Sequence, residues 1–289
     1  MQEDANRGFV AGDRFNVHEL TGEGDDIHGR EDNPGSQDCL GRLSSRGDSR
    51  PRLSSRAQPG AAIGRCNLNN VSAQTSAIKS LFLDGPAGRL EALLNMGAEQ
   101  ATRAALVCHP HPLYGGTFHN KVVFHTMKAL NSFGYPVLRF NFRGAGLSQG
   151  EHDHGNAEEE DVRTALEWLD REFHLPLIFA GFSFGAAVGL RVACPDTRVG
   201  AVIGLGLPVA AIDDRVYDFE FLQSCVKPKL FVSGDRDQFG PRAKLQGLVQ
   251  SLPEPKKLVM IAGADHFFEG RLRELRDSIE SWIKEGYSR

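Results

Sequence analysis

From about residue 77 onward the chain alternates short apolar runs with longer amphipathic segments, and the residues before that point show no such rhythm. The runs at 78–83, 89–94, 104–108, 136–142, 175–180, 201–206, 229–233 and 257–261 have the length and the β-branched or aromatic content of strands. The first two flank Asp84-Gly85-Pro86-Ala87-Gly88, a turn-rich connection that predicts an antiparallel hairpin. Helix-like stretches fall at 120–133, 158–172, 186–193 and 271–284. In the second of these Val162, Leu166 and Leu169 recur near helical spacing, behind Glu159, Glu160 and Asp161, whose charge opposes the macrodipole. Strand alternating with helix predicts an α/β fold: a mainly parallel sheet of about eight strands with helices on both faces.

Residues 1–72 differ in kind. They are rich in Gly, Ser, Arg, Asp and Asn, carry no Phe, Trp or Tyr beyond Phe9 and Phe15, and are expected to be a disordered arm ahead of a domain spanning 73–289. No methionine lies between Met1 and Met96, so a start assigned too far upstream, for a gene beginning nearer Val71, is a competing reading of the arm. The arm has no apolar core for a secretory signal, and its scattered acids argue against a mitochondrial transit peptide. The net charge is −4 and the one concentrated basic stretch, 42–56, alternates with Ser and Gly, which reads as a solvated linker; no nucleic-acid partner is expected. The five cysteines are odd in number and show no C-x-x-C spacing, and no apolar run approaches the ~20 residues a bilayer span needs, so a cytoplasmic protein without a membrane partner is expected.

Chemistry concentrates at Gly181-Phe182-Ser183-Phe184-Gly185, which follows the strand-like run at 175–180 and precedes a run of small residues. This pattern is a nucleophile elbow: the glycines on either side of Ser183 remove Cβ atoms where strand and helix come close. A serine hydroxyl is a poor nucleophile at neutral pH and needs a base and an orienting acid. Asp235 and Asp237 both lie just past the strand at 229–233, and His266 lies in the loop after the strand at 257–261. Serine, then aspartate, then histidine is the α/β-hydrolase order rather than that of chymotrypsin or subtilisin. The Phe184 N–H, opening the elbow helix, is the first expected oxyanion donor. The second is expected from the loop after the strand at 104–108, where Pro110 and Pro112 have no N–H and leave His111 or Leu113.

From about residue 77 to its end the chain resembles a small, cap-less α/β-hydrolase, closest to bacterial hydrolases related to dienelactone hydrolases and the Xaa-Pro peptidase-like group. Three motifs carry the resemblance: His109-Pro110-His111-Pro112-Leu113-Tyr114-Gly115-Gly116, Asn141-Phe142-Arg143-Gly144-Ala145-Gly146-Leu147-Ser148, and the elbow. Dienelactone hydrolases use a cysteine nucleophile where this chain has Ser183. The resemblance implies a Ser183–His266–Asp237 triad, because Gly234, Asp237 and Pro241 match the family's acid loop, and alignment with the His-Gly-x form of the oxyanion loop points to His111. Many relatives insert a lid between the sixth and seventh strands. Only about twenty residues, 207–227, stand there, so an open, shallow site is expected.

The competing chemistries fail on spacing. The His109/His111 pair has no carboxylate or cysteine at a ligand spacing, so no metal is expected. His152-Asp153-His154 reads as a solvent-exposed polar loop. Gly144-Ala145-Gly146 lacks the third glycine of a dinucleotide fingerprint, Gln149 standing in its place, and no Gly-Lys-Ser/Thr follows a glycine-rich turn. The expectation is therefore a cofactor-independent serine hydrolase acting on a small-molecule ester. Tyr114, Gly115, Gly116 and Phe182 would contact substrate, with Phe118, Phe184, Phe239 and Phe267 as further apolar walls suited to short or medium acyl chains. Peptidase or thioesterase activity on the same residues, and a non-catalytic binding protein of this fold, are the alternatives.

Overall fold

The hairpin forms as its turn predicts. β1 (Ile78–Gly85) and β2 (Gly88–Asn95) pair antiparallel across a two-residue turn, and Gly88 takes a φ of +116° that side chains rarely adopt. The computed structural model describes residues 77–211 and 215–286, so the arm expected over 1–72 lies outside the described residues. The chain continues through β3 (Ala104–Cys108), α1 (Lys121–Asn131), β4 (Val137–Phe140), α2 (Glu158–Phe173), β5 (Leu177–Phe182), α3 (Phe184–Ala193) and β6 (Val199–Leu205). It ends with β7 (Lys229–Gly234), α4 (Arg242–Ser251), β8 (Lys256–Ile261) and α5 (Leu272–Lys284).

These strands form one eight-stranded sheet in the order β1-β2-β4-β3-β5-β6-β7-β8, in which β2 alone runs against the rest. The order reverses at β3: the chain moves from β3 outward to β4, then returns to lay β5 on the other side of β3. Loops leaving the carboxyl ends of β3 and β5 therefore diverge and leave a crevice, the place where open α/β sheets bind ligands.

Each face of the sheet has its own core. Val122, Val123, Met127 and Leu130 of α1 pack with Leu275, Ile279 and Trp282 of α5 on one face; Val162, Leu166 and Leu169 of α2, the small residues of α3, and Leu245 and Val249 of α4 cover the other. Val162, Leu166 and Leu169 are fully buried, as their spacing predicts. The strand expected over 175–180 begins instead at Leu177, because Pro176 has no N–H to give the ladder, and it runs on into the elbow through Phe182. The strand expected to reach residue 142 stops at Phe140: the Asn141 N–H still reaches the Glu91 carbonyl, but the Phe142 N–H leaves the ladder for Nε2 of His109, and the Asn141 side chain accepts the Phe118 N–H. α4 has no counterpart in the sequence reading.

Between β6 and β7 the described residues hold only a short 3-10 turn, Glu220–Ser224, and no cap domain. Among the described residues no helix is long and apolar enough to cross a membrane. Cys108, Cys194 and Cys225 are buried free thiols, while Cys39 and Cys66 lie outside the described residues.

Candidate active site

Ser183 stands between the end of β5 and the start of α3 with φ +53° and ψ −116°, a conformation that costs a non-glycine residue roughly 1–3 kcal/mol. The surroundings enforce it. Added Cβ atoms would fall 2.5 Å from the Gly185 carbonyl oxygen at Gly181, and 2.4 Å from the His109 carbonyl oxygen at Gly185, so strand, helix and the loop after β3 close together only around glycine. The Ser183 N–H is held by the Leu205 carbonyl at 2.9 Å, and its carbonyl caps the first turn of α3 through the N–H groups of Ala186 and Ala187.

Oγ of Ser183 lies 3.0 Å from Nε2 of His266, and Nδ1 of His266 lies 2.9 and 3.0 Å from the two carboxylate oxygens of Asp237. All three residues are buried. Asp237 is held by its own loop: Oδ1 accepts the N–H groups of Phe239 and Gly240 at 2.8 and 3.1 Å, and Oδ2 accepts the Ser233 hydroxyl at 3.2 Å. With the carboxylate fixed, Nδ1–H donates to it and Nε2 is left to accept from the serine. Asp235, the other candidate acid, instead accepts the Gly263 N–H at 2.7 Å and ties the loop after β7 to the loop after β8. The histidine is seated among aromatic rings, with Phe182, Phe239 and Phe267 at centroid distances of 5.0, 4.7 and 5.2 Å.

The loop after β3 meets Ser183 from the opposite side. Pro112–Tyr114 form a 3-10 turn in which the Leu113 N–H donates to Nδ1 of His111 at 3.3 Å, so of the two candidate donors Leu113 is engaged within its own loop. Among the described residues neither the His111 N–H nor the Phe184 N–H has an intramolecular acceptor. His109 holds this loop down. Its Nε2 accepts the Phe142 N–H at 2.9 Å, so its Nδ1–H donates to the Pro110 carbonyl at 2.6 Å. Both ring nitrogens are thus occupied, and among the described residues no group of three His, Cys, Asp or Glu side chains could hold a metal ion. Burial lowers the His109 pKa from 6.5 to about 4, and burial aided by the nearby His152 and Arg215 lowers that of His111 to about 4 as well.

Several expected contacts are corrected. Phe182 is fully buried beneath His266 and Phe268, and Phe118 and Phe184 are also buried, so these rings support the site rather than face substrate. Gly116 is buried, with room for no Cβ against the Pro110 carbonyl, whereas Gly115 is exposed at φ +74° and the exposed Tyr114 hydroxyl accepts a hydrogen bond from the Arg215 guanidinium at 3.0 Å. His152, read as part of an exposed loop, has a side chain only 4% exposed; its ring lies 4.7 Å from that of His111 and its Nδ1 2.7 Å from the buried Glu158. The cause is Glu158 at the start of α2, which accepts the N–H groups of Asp153 and Gly155 and draws the loop inward.

A cavity of about 370 Å³ lies beside the His266 loop, between Gly115, the first turn of α1 and Phe267.

Comparison with known proteins agrees with this geometry. A family described as an alpha/beta hydrolase domain matches residues 104–285. An uncharacterised protein of Rickettsia prowazekii is 35% identical over 210 residues, which are 70% of this chain and 87% of that one. Among solved structures, an alpha-beta serine hydrolase homologue from Coxiella burnetii is 36% identical with a TM-score of 0.64, covering 70% of this chain and 96% of its own. A Xanthomonas campestris protein described as an a/b serine hydrolase without lid is 31% identical, also at 0.64, covering 73% and 96%. The sheet order, the strained serine at the end of β5 and the match over residues 104–285 together mean that this chain belongs to the alpha/beta hydrolase family.

Proposed function

We propose that the protein is a carboxylic-ester hydrolase that works through an acyl-enzyme on Ser183. The observation that carries this reading is the unbroken hydrogen-bonded line from Ser183 Oγ through His266 to Asp237, 3.0 Å and then 2.9 Å. Ser183 Oγ attacks the ester carbonyl carbon while Nε2 of His266 takes the hydroxyl proton, and Asp237 steadies the imidazolium through Nδ1–H. The carbonyl oxygen becomes an oxyanion between the free N–H groups of Phe184 and His111, the former aided by the N-terminus of α3. The bond from the carbonyl carbon to the leaving oxygen then breaks, and His266 returns its proton to that oxygen. In the second half water loses a proton to His266, attacks the acyl carbon and releases the acid, restoring the Ser183 hydroxyl. Support for a serine hydrolase also comes from the Coxiella and Xanthomonas relatives, both above 30% identity. An ester is favoured over an amide because the described residues between β6 and β7 build no cap over the site, and amide cleavage asks for tighter positioning.

The test is fluorophosphonate labelling located by peptide mass spectrometry, with turnover of a p-nitrophenyl ester chain-length series. Label confined to Ser183, greatly slowed in His266→Ala and accompanied by ester turnover, is the expected outcome. A folded protein that takes no label would rule the reading out.

A further inference from the structure

We infer that the cavity beside His266 receives the alcohol half of the ester and that this alcohol is a polyol, glycerol-like or sugar-like; the inference rests on the ester-hydrolase reading. Position comes first. His266 must hand its proton to the leaving oxygen, so the departing alcohol lies on the His266 side of Ser183. Phe267, the next residue, has its ring 5.2 Å from the imidazole and is among the residues that line the cavity, so this space lies next to the point from which the alcohol departs. At about 370 Å³ the cavity is at the small end of the roughly 300–1,000 Å³ range of ligand pockets, which suits a compact group.

The lining then selects the chemistry. Lys121 offers an ammonium and Glu269 a carboxylate, and neither has an ion-pair partner among the described residues. Thr117 adds a hydroxyl and His119 an imidazole. Asn120 spends its Oδ1 capping α1 through the Val122 N–H at 2.9 Å, which leaves its amide hydrogens as donors. Residues carrying donors and residues carrying acceptors thus line one space. An anionic alcohol would face Glu269 and a cationic one Lys121, whereas a hydroxyl both donates and accepts and can satisfy either. An alkyl alcohol of equal size would strip water from these groups and return no hydrogen bond. Phe267, 52% exposed, supplies the apolar face on which the C–H side of a polyol or sugar ring can rest.

The experiment has a catalytic and a binding arm. With acetate as the common acyl group, kcat/KM is compared for glycerol monoacetate, an acetylated methyl glucoside and n-hexyl acetate. In wild type the polyol esters should exceed the alkyl ester by about tenfold or more, and Lys121→Met and Glu269→Gln should each lower that ratio by about threefold or more. In the second arm, glycerol and methyl glucoside are titrated into Ser183→Ala and followed by amide NMR, with shifts expected at Thr117, Lys121 and Phe267. A wild-type ratio near one, or titrations that leave those amides unmoved, overturns the polyol assignment. If fluorophosphonate fails to label Ser183 while the polyols still shift Lys121 and Phe267, the hydrolase reading falls and the polyol site stands.

Discussion

Ser183 is held in an unfavourable backbone conformation by its own backbone hydrogen bonds and by the glycine-only approaches on either side, and the proposed reactive geometry depends on three side chains that contribute little to the bulk of either core. Ser183→Ala and His266→Ala are each expected to lower kcat by at least ~10⁴-fold, and Asp237→Asn by a smaller factor, about 10³–10⁴, because the amide can no longer fix the Nδ1–H tautomer. Asp235→Asn separates the two acids. It weakens a turn made through the Gly263 N–H, so it should cost about 1 kcal/mol of stability in a denaturant melt and change kcat by no more than a few-fold. If Asp235→Asn were the variant that lost activity, the assignment of the acid would be wrong. The residues of this line were legible because each follows a recognisable strand and their order is particular to one fold. Phe182 was not, since an aromatic beside a nucleophile reads the same whether it faces substrate or lies under the histidine. His152 was missed for a similar reason: its burial depends on Glu158, six positions on, accepting the loop's N–H groups, and no local pattern announces that.

Among the elements, the sheet and the helices with full apolar stripes were readable, and the connections that set the site's spacing were less so. α4 leaves little trace in the sequence because only Leu245 and Val249 of it are buried, its first turn carries no acid, and no side chain caps it. The motif Asn141–Ser148 proves to be a brace between elements. Asn141 accepts the Phe118 N–H and donates to Glu91, while Arg143 makes a doubly bonded ion pair with Asp161 at the start of α2. Asp161 is fully buried and Arg143 nearly so, so Asp161→Asn strands a buried guanidinium and should cost about 3–5 kcal/mol in equilibrium unfolding. A loss below about 1 kcal/mol would mean that water reaches the pair. Gly185→Ala tests the approach of α3 to β3 separately. Its new methyl would meet backbone oxygens of His109 and Cys108 at 2.4 and 2.7 Å, atoms that cannot swing aside, so a loss of about 1–3 kcal/mol is expected, together with a kcat deficit from the displaced oxyanion loop.

For the molecule as a whole, the reversal of strand order at β3 places the loops after β3 and β5 on either side of one crevice, and His109 fastens the first of these to the loop after β4. That fastening makes global stability sensitive to acid in a calculable direction. The fold accommodates His109 only as the neutral imidazole, because Nε2 accepts a hydrogen bond and burial lowers its pKa from 6.5 to about 4. Between those values the unfolded chain binds the proton and the folded one does not, so stability is complete above about pH 6.5 and falls as pH drops toward 4. His111, half-buried and shifted to about 4, adds to the fall, while the Asp161 carboxyl, pushed up by burial, opposes it. The decisive quantity is therefore a difference between variants. His109→Gln can keep both hydrogen bonds but does not titrate, so on going from pH 7 to 4.5 its unfolding free energy should fall by about 2 kcal/mol less than that of wild type. Parallel urea-derived stability curves for the two proteins would show that the loop opens and lets His109 take up its proton without unfolding the rest.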